Sequence, residues 1–218
     1  MKLYLSSYRF GTATETLLAL LGNGRRAAII GNALDMIPAD DQVRYRTNIY
    51  DPITELADLG ITADMLDLRD YFDTHEALPE TLSRYDLVWV LGGNSFLLRR
   101  AMARSGFDQT IGTALADGLV YGGFSAGAVV ATPTLRGIEL MDDPHQLAPG
   151  YTSDIIWDGL SLVDFSIVPH FRSNHAEAAL AEAAVAHMLV NGQTHRSLRD
   201  GQVILRNGSH VEIIGEPL

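Results

Sequence analysis

Gly122-Gly123-Phe124-Ser125-Ala126-Gly127-Ala128-Val129-Val130 sets a lone serine among glycines where one sequence pattern gives way to another. Gly118-Leu119-Val120-Tyr121 before it is a short apolar run of strand length, and the residues after it are small and helix-compatible as far as Pro133. The spacing Gly123-x-Ser125-x-Gly127 is that of a nucleophile elbow. In such a turn the hydroxyl is projected from a tight bend, and the N-terminus of the next helix faces developing negative charge. Flanking glycines let the backbone turn without side-chain collisions. A glycine-rich turn that only binds a phosphate or packs closely has the same local appearance. The rest of the chain must therefore decide between the two.

Outward from this stretch, strand-like runs alternate with helix-like runs. The strands are expected at Lys2–Leu5, Ala27–Ile30, Met65–Leu68, Leu87–Leu91 and Leu119–Phe124. Helical spacing of apolar residues marks Thr12–Leu21, Asn48–Leu59, Phe96–Ala103 and Thr110–Ala116. The alternation predicts an α/β fold, a doubly wound and mostly parallel sheet with helices on both faces. Arg136 to Gly159 breaks the rhythm with Asp142-Asp143-Pro144 and Pro149-Gly150, which predicts a lid or a loop lining the site. A further strand, Val163–Val168, leads into Pro169-His170-Phe171. Asn174-His175-Ala176-Glu177 then has the form of a capping box for an alanine-rich helix reaching Val190. Gln202–Leu205 and His210–Ile214 flank Asn207-Gly208, a hairpin signal.

The 218 residues suit one domain spanning 1–218. Twenty-seven acidic against 16 basic residues leave a net charge of -11 without any basic run, which argues against a nucleic-acid surface. The absence of cysteine removes thiolate catalysis and cysteine-based metal sites together, so a serine must do any nucleophilic work. The first residues stop short of a signal peptide and no stretch has membrane-spanning length, so a cytoplasmic location and no membrane partner are expected. Neither a cofactor nor a metal site is expected, because no spacing of histidines and carboxylates marks one. A homodimer is compatible with the sequence.

A serine hydroxyl needs a base to take its proton. Of seven histidines, His170 alone follows an apolar strand almost immediately, and catalytic groups gather beyond the carboxyl ends of strands in open parallel sheets. The oxyanion donors are expected to be the N–H of Ala126, directly after the serine, and that of Gly93, in the turn Gly92-Gly93-Asn94 between strand and helix. For the acid that orients the imidazole, Glu139, Asp142, Asp143 and Asp200 all remain open, because a triad is assembled in space.

With Leu91-Gly92-Gly93-Asn94-Ser95-Phe96, the Gly123–Gly127 elbow and Val168-Pro169-His170-Phe171 in this order, the chain resembles the family of peptidase E (aspartyl dipeptidase) and cyanophycinase. The resemblance runs from the first strand to the closing hairpin. It implies a three-layer fold akin to class I glutamine amidotransferases, of flavodoxin-like type. It also implies a serine in place of their cysteine, and hydrolysis of small, acidic peptides such as Asp-X dipeptides. By the same resemblance Ser125 is the nucleophile, His170 the base, and Gly93 with Ala126 the oxyanion donors. A late turn like Arg199-Asp200-Gly201 carries an acid in the cyanophycinase-like members, so Asp200 ranks first and Asp142 second. An aspartyl substrate would need a cation. Arg172 is the foremost candidate, with Arg136 and Arg99 behind it, and Asn94 is a further substrate contact. Two other readings remain, a broader amidase or esterase, and a non-catalytic module binding a small carboxylate through the same pocket.

Overall fold

The computed structural model describes residues 1–218, the side chain of Tyr45 excepted. Its strands are β1 (Lys2–Ser6), β2 (Arg26–Ile30), β3 (Thr62–Met65), β4 (Leu87–Val90), β5 (Val120–Phe124), β6 (Ser166–Val168), β7 (His195–Ser197), β8 (Val203–Asn207) and β9 (His210–Ile214). Seven form one sheet in the order β3-β2-β4-β5-β1-β8-β9. The first five in that order are mutually parallel, and β8 and β9 close one edge antiparallel. The helices are α1 (Thr14–Leu21), α2 (Ala39–Asn48), α3 (Pro52–Asp58), α4 (Leu78–Leu82), α5 (Ser95–Arg104), α6 (Phe107–Ala116), α7 (Ala126–Val129) and α8 (Ala178–Val190).

Alternation along each strand divides the core into two layers. Leu3, Leu5, Ala28, Ile30, Val88, Val90 and Tyr121 face α4, α5 and α6 on one side. Tyr4, Ala27, Ile29, Leu87, Trp89 and Phe124 face α1 and α3 on the other. All four residues of β4 are buried, as a strand covered on both faces requires. A third cluster seats α8 against Phe96, Val129 and Val168, beneath the elbow. The expected α/β sheet with helices on both faces is therefore the observed one. Among the described residues, no helix is long and apolar enough to cross a membrane.

Several boundaries differ from those expected, each for a local reason. Of the helix expected over Asn48–Leu59 only Pro52–Asp58 forms α3, and Asn48 instead ends α2, a helix the pattern did not disclose. Pro52 takes the first position of α3, and Asp51 before it is extended and accepts the Ile53 N–H at 3.1 Å. The strand expected at Met65–Leu68 lies earlier, at Thr62–Met65, because Asp67 accepts the Arg69 N–H at 2.9 Å and starts a turn of 3-10 helix. Of Val163–Val168 only Ser166–Val168 is a strand. It leaves the main sheet to pair in parallel with β7, a strand the pattern did not disclose. The expected capping box does not form, since α8 begins at Ala178 and the Glu177 N–H goes to His175 Nδ1 at 3.2 Å. The loop Arg136–Gly159 is held down by Arg100, which donates to Pro144 O at 2.6 Å, Gln146 O at 3.2 Å and Asp154 O at 2.7 Å.

Gly127 shows how tightly α7 sits on β4, because a Cβ there would lie 2.3 Å from Val90 O. Backbone cannot swing aside. Gly127→Ala is expected to destabilise the protein by about 1–3 kcal/mol, the usual cost of overpacking a filled core. Gly112→Ala, within α6 and facing open space, should stabilise by about 0.5–1 kcal/mol through helix propensity. Chemical denaturation of both variants checks this. Equal effects would show that the approach of α7 to β4 is looser than described.

Candidate active site

Ser125 stands between β5 and α7 with φ 48° and ψ -117°, a conformation that L side chains rarely adopt. Its N–H donates to both Ser6 O and Ser7 O at 3.2 Å, which fixes the bend against the end of β1. Gly92 packs on it from the neighbouring turn, where a Cβ would lie 3.1 Å from Ser125 Cβ and 2.8 Å from the Phe124 ring. Gly93 has φ 134°, and a Cβ there would lie 2.5 Å from Ala33 O. The backbone ladder takes the Leu91 N–H (to Ile30 O, 2.9 Å) and next the Asn94 N–H (to Ala33 O, 2.9 Å). The Gly92 and Gly93 amides fall between those two. The Ala126 N–H opens α7 and so has no intrahelical acceptor.

His170 and Asp200 are brought together by the small parallel sheet. β6 pairs with β7 in the register Val168↔Ser197, so the two chains leave side by side, His170 two residues beyond one strand and Asp200 three beyond the other. His170 Nδ1 lies 2.8 Å from Asp200 Oδ1, and both residues are buried. Ser7 Oγ accepts the His170 N–H at 2.8 Å and donates to Asp200 Oδ1 at 2.7 Å. Burial would raise the Asp200 carboxyl. The hydrogen bonds from His170 and Ser7, with the charge of His170, outweigh it and hold the group below the usual carboxylate range.

Ser125, His170, Gly92 and Gly93 line one cavity of about 250 Å³, with Tyr8, His175 and Glu177 around its mouth. His175 stacks on His170 with ring centres 3.7 Å apart and planes 7° from parallel. Accepting the Glu177 N–H places the lone pair on Nδ1 of His175, and burial, then His170, keeps this imidazole below its ordinary pKa. His170, His175 and Glu177 bring one ligand atom each within 4.8 Å, a cluster that the sequence spacing did not reveal. Parallel stacked rings direct their lone pairs in parallel planes and not toward one point. The arrangement is therefore a poor cage for an ion.

The remaining sequence candidates lie elsewhere. Asp142 accepts the Ser95 N–H at 2.8 Å at the start of α5. Asp143 accepts the His145 N–H at 2.9 Å, and Glu139 accepts the Gly137 N–H, so both shape the loop. Asn94 does not line the cavity: its Oδ1 caps α5 through the Leu97 N–H at 2.9 Å, and its Nδ2 donates to Asp143 O at 2.9 Å. Arg172, expected as the substrate cation, is exposed and lies over the Phe171 ring at 5.0 Å. Arg136 rests over Trp157, and Arg99 is buried against Asp108 at 2.8 Å. None of the three arginines reaches the wall of the Ser125 cavity. A loop arginine two residues from a site histidine need not face the site, and here the positive φ of 51° at Arg172 turns it to solvent.

Sequence reasoning missed the place of Ser7, His175 and Glu177 around this cavity. Ser7 carried a usable signal, because it follows an apolar strand as His170 does. His175 and Glu177 were read only as parts of a capping box.

A serine on a strained strand-to-helix bend, beside a buried imidazole–carboxylate pair at the carboxyl edge of a parallel sheet, has the architecture of an α/β serine hydrolase. The family model of peptidase family S51 matches residues 6–214, and the chain belongs to that family. It is 30% identical over 209 residues to a peptidase E of Streptomyces coelicolor, covering 94% of this chain and 77% of that one. It is 36% identical over 118 residues to an uncharacterized peptidase of Listeria innocua, where the match spans 54% of each chain, about half the length of that relative. A crystal structure of a candidate peptidase E from Listeria monocytogenes superposes with a TM-score of 0.79 at 25% identity, covering 99% of this chain and 98% of the other.

Asp142 offers a test of the site's electrostatics. Burial raises its pKa to about 6, with Glu177 adding to the rise, against the Ser95 hydrogen bond and His170. A carboxyl whose pKa is higher folded than unfolded stabilises fully below its unfolded value of about 3.9, and that contribution is lost as pH rises through the folded value. Asp142→Asn keeps an acceptor for the Ser95 N–H but does not titrate. Its melting temperature relative to the parent should therefore rise between pH 4 and pH 7.5. A difference independent of pH would show that the carboxyl titrates normally.

Proposed function

We propose that the protein is a serine peptidase acting on small peptides, with Asp-X dipeptides foremost. The observation that carries the reading is the 2.8 Å contact of His170 Nδ1 with Asp200, on the wall of the cavity that holds the strained Ser125. In this mechanism Nε2 of His170 takes the proton as Ser125 Oγ attacks the peptide carbonyl. Asp200 holds the proton on Nδ1 and stabilises the imidazolium that forms. The oxyanion is received by the N–H groups of Ala126 and Gly93, the first at the positive end of α7. His170 then protonates the leaving amine, and water, activated by the same imidazole, releases the acyl group. Among acid candidates for the orienting role, the hydrogen bond favours Asp200 over Asp142, Asp143 and Glu139.

Hydrolysis of a panel of Asp-X, isoAsp-X and neutral dipeptides tests the reading. Ser125→Ala should abolish turnover, by at least about 10³-fold, while the melting temperature stays close to the parent's. Asp200→Asn should fall by a comparable factor with binding largely intact. Parental activity in Ser125→Ala would overturn the mechanism, and turnover spread evenly over the panel would keep the triad and remove the preference for aspartate.

A further inference from the structure

The cleft at Ser125 does not end at the 250 Å³ cavity. A second chamber of about 600 Å³ adjoins it, and the two share Gly31, Ile37, Gln42, Arg46 and Met65 as walls. Gln42 and Arg46 stand one turn apart on α2 and so share a face of that helix. Gln42 Nε2 donates to Leu34 O at 3.1 Å and Ile37 O at 2.9 Å, which presses this face onto the loop after β2 and toward the cleft. Arg46, half-buried, is thereby set in the partition between the chambers.

Other arginines of the molecule are engaged. Arg9 pairs with Glu55 at 3.1 Å, Arg69 with Asp67 at 2.6 Å, and Arg100 holds three carbonyls of the long loop. The Arg46 side chain forms no hydrogen bond or ion pair with any described residue. Whereas the second chamber is lined also by Asp35, Asp67 and Arg69, on the Ser125 side the wall carries the apolar Leu34, Ile37, Met65 and Leu91. A guanidinium set against such a wall is a poor resting place for water and a strong site for a carboxylate, which it can grip with two parallel N–H bonds in reduced dielectric. A chain of net charge -11 repels anions at long range, so an acidic substrate needs such a local cation.

We propose that Arg46, in place of Arg172, is the specificity residue that binds a carboxylate of the substrate. The assignment rests on the peptidase reading above. The carboxylate belongs either to an aspartyl side chain or to the free C-terminus of a dipeptide, and three substrates separate these sources: Asp-Leu, Asn-Leu, and Asp-Leu with an amidated C-terminus.

For Arg46→Gln, kcat/KM on Asp-Leu is expected to fall about 10- to 100-fold, mainly through KM, the effect of losing one charge-assisted pair. Arg172→Gln should leave the ratios among the three substrates unchanged. If Asn-Leu escapes the loss and the amide shares it, the side-chain carboxylate is the one bound; the reverse identifies the C-terminus. An equal loss on all three substrates, or a selective loss in Arg172→Gln alone, would overturn the assignment. Should the parent hydrolyse none of them, the peptidase reading fails separately, and Ser125→Ala decides the question for Arg46 by thermal shift with the same peptides. A shift specific to the carboxylate and removed by adding Arg46→Gln upholds the assignment. No shift, or one that survives Arg46→Gln, refutes it.

Discussion

The hydroxyl of Ser7 joins parts of the site that come from distant regions of the chain. It accepts the backbone N–H of His170 and donates to the carboxylate of Asp200 that also faces the histidine ring. The carbonyls of Ser6 and Ser7 meanwhile accept the N–H of Ser125. The end of β1 thus fixes the serine through its backbone and the imidazole–carboxylate pair through one side chain. That strand lies between β5, which delivers Ser125, and β8, whose preceding turn holds Asp200. A hydrogen-bonded hydroxyl in a buried place has few alternatives, since breaking either bond leaves an unsatisfied group at a cost of about 1–3 kcal/mol. The relation between Ser125 and His170 is therefore set by the sheet and does not depend on loop packing alone.

Two of the five non-glycine residues with positive φ stand at that junction. Ser125 and His170 both adopt positive φ, at 48° and 60°, and a non-glycine residue so placed costs on the order of 1–3 kcal/mol. Such conformations persist only where the surroundings leave no choice. At Ser125 the constraint comes from the two carbonyls of β1, from Gly92 against its Cβ, and from Gly127, whose lack of a side chain lets α7 lie on β4. At His170 it comes from Ser7 on one side and the stacked ring of His175 on the other. Because His175 presents an unprotonated Nδ1 to the Glu177 N–H, the stack adds no positive charge beside His170. An imidazolium forming at His170 in the proposed mechanism then meets Asp200 without a like charge 3.7 Å away.

What could be read in advance follows the range of the forces involved. Burial on both faces leaves continuous apolar runs, so β4 and β5 were legible, and the glycines around Ser125 are a short-range requirement written within five residues. The start of α3 at Pro52 was visible in principle but hidden by apolar spacing that ran on from Asn48. β7 was not legible: three half-buried residues, His195–Ser197, become a strand only because Ser166–Val168 lies alongside. The same pairing makes His170 and Asp200 neighbours, which is why spacing left four acids open. Arg46 has no local signature at all. Its meaning depends on Gln42 fastening α2 over the cleft, a tertiary contact that no pattern of residues on that polar helix announces.

Asp200 and Asp142 both act on His170, which Glu177 also approaches at 3.8 Å, and the environments of these two aspartates push them in opposite directions. Both are desolvated. Asp200 receives the ring N–H and the Ser7 hydroxyl, which hold it anionic, whereas Asp142 has the single N–H of Ser95 against its burial and rises to about 6. An orienting acid must stay ionised while the imidazole becomes cationic, because its negative charge is what stabilises the imidazolium. A carboxyl poised near neutrality would itself be partly protonated over the range in which the histidine is an effective base. Separation of this kind assigns different tasks to chemically identical groups. Asp200 is suited to hold charge beside His170. Asp142, beside the first turn of α5, instead accepts a helix N–H and ties the long loop after α7 to that helix.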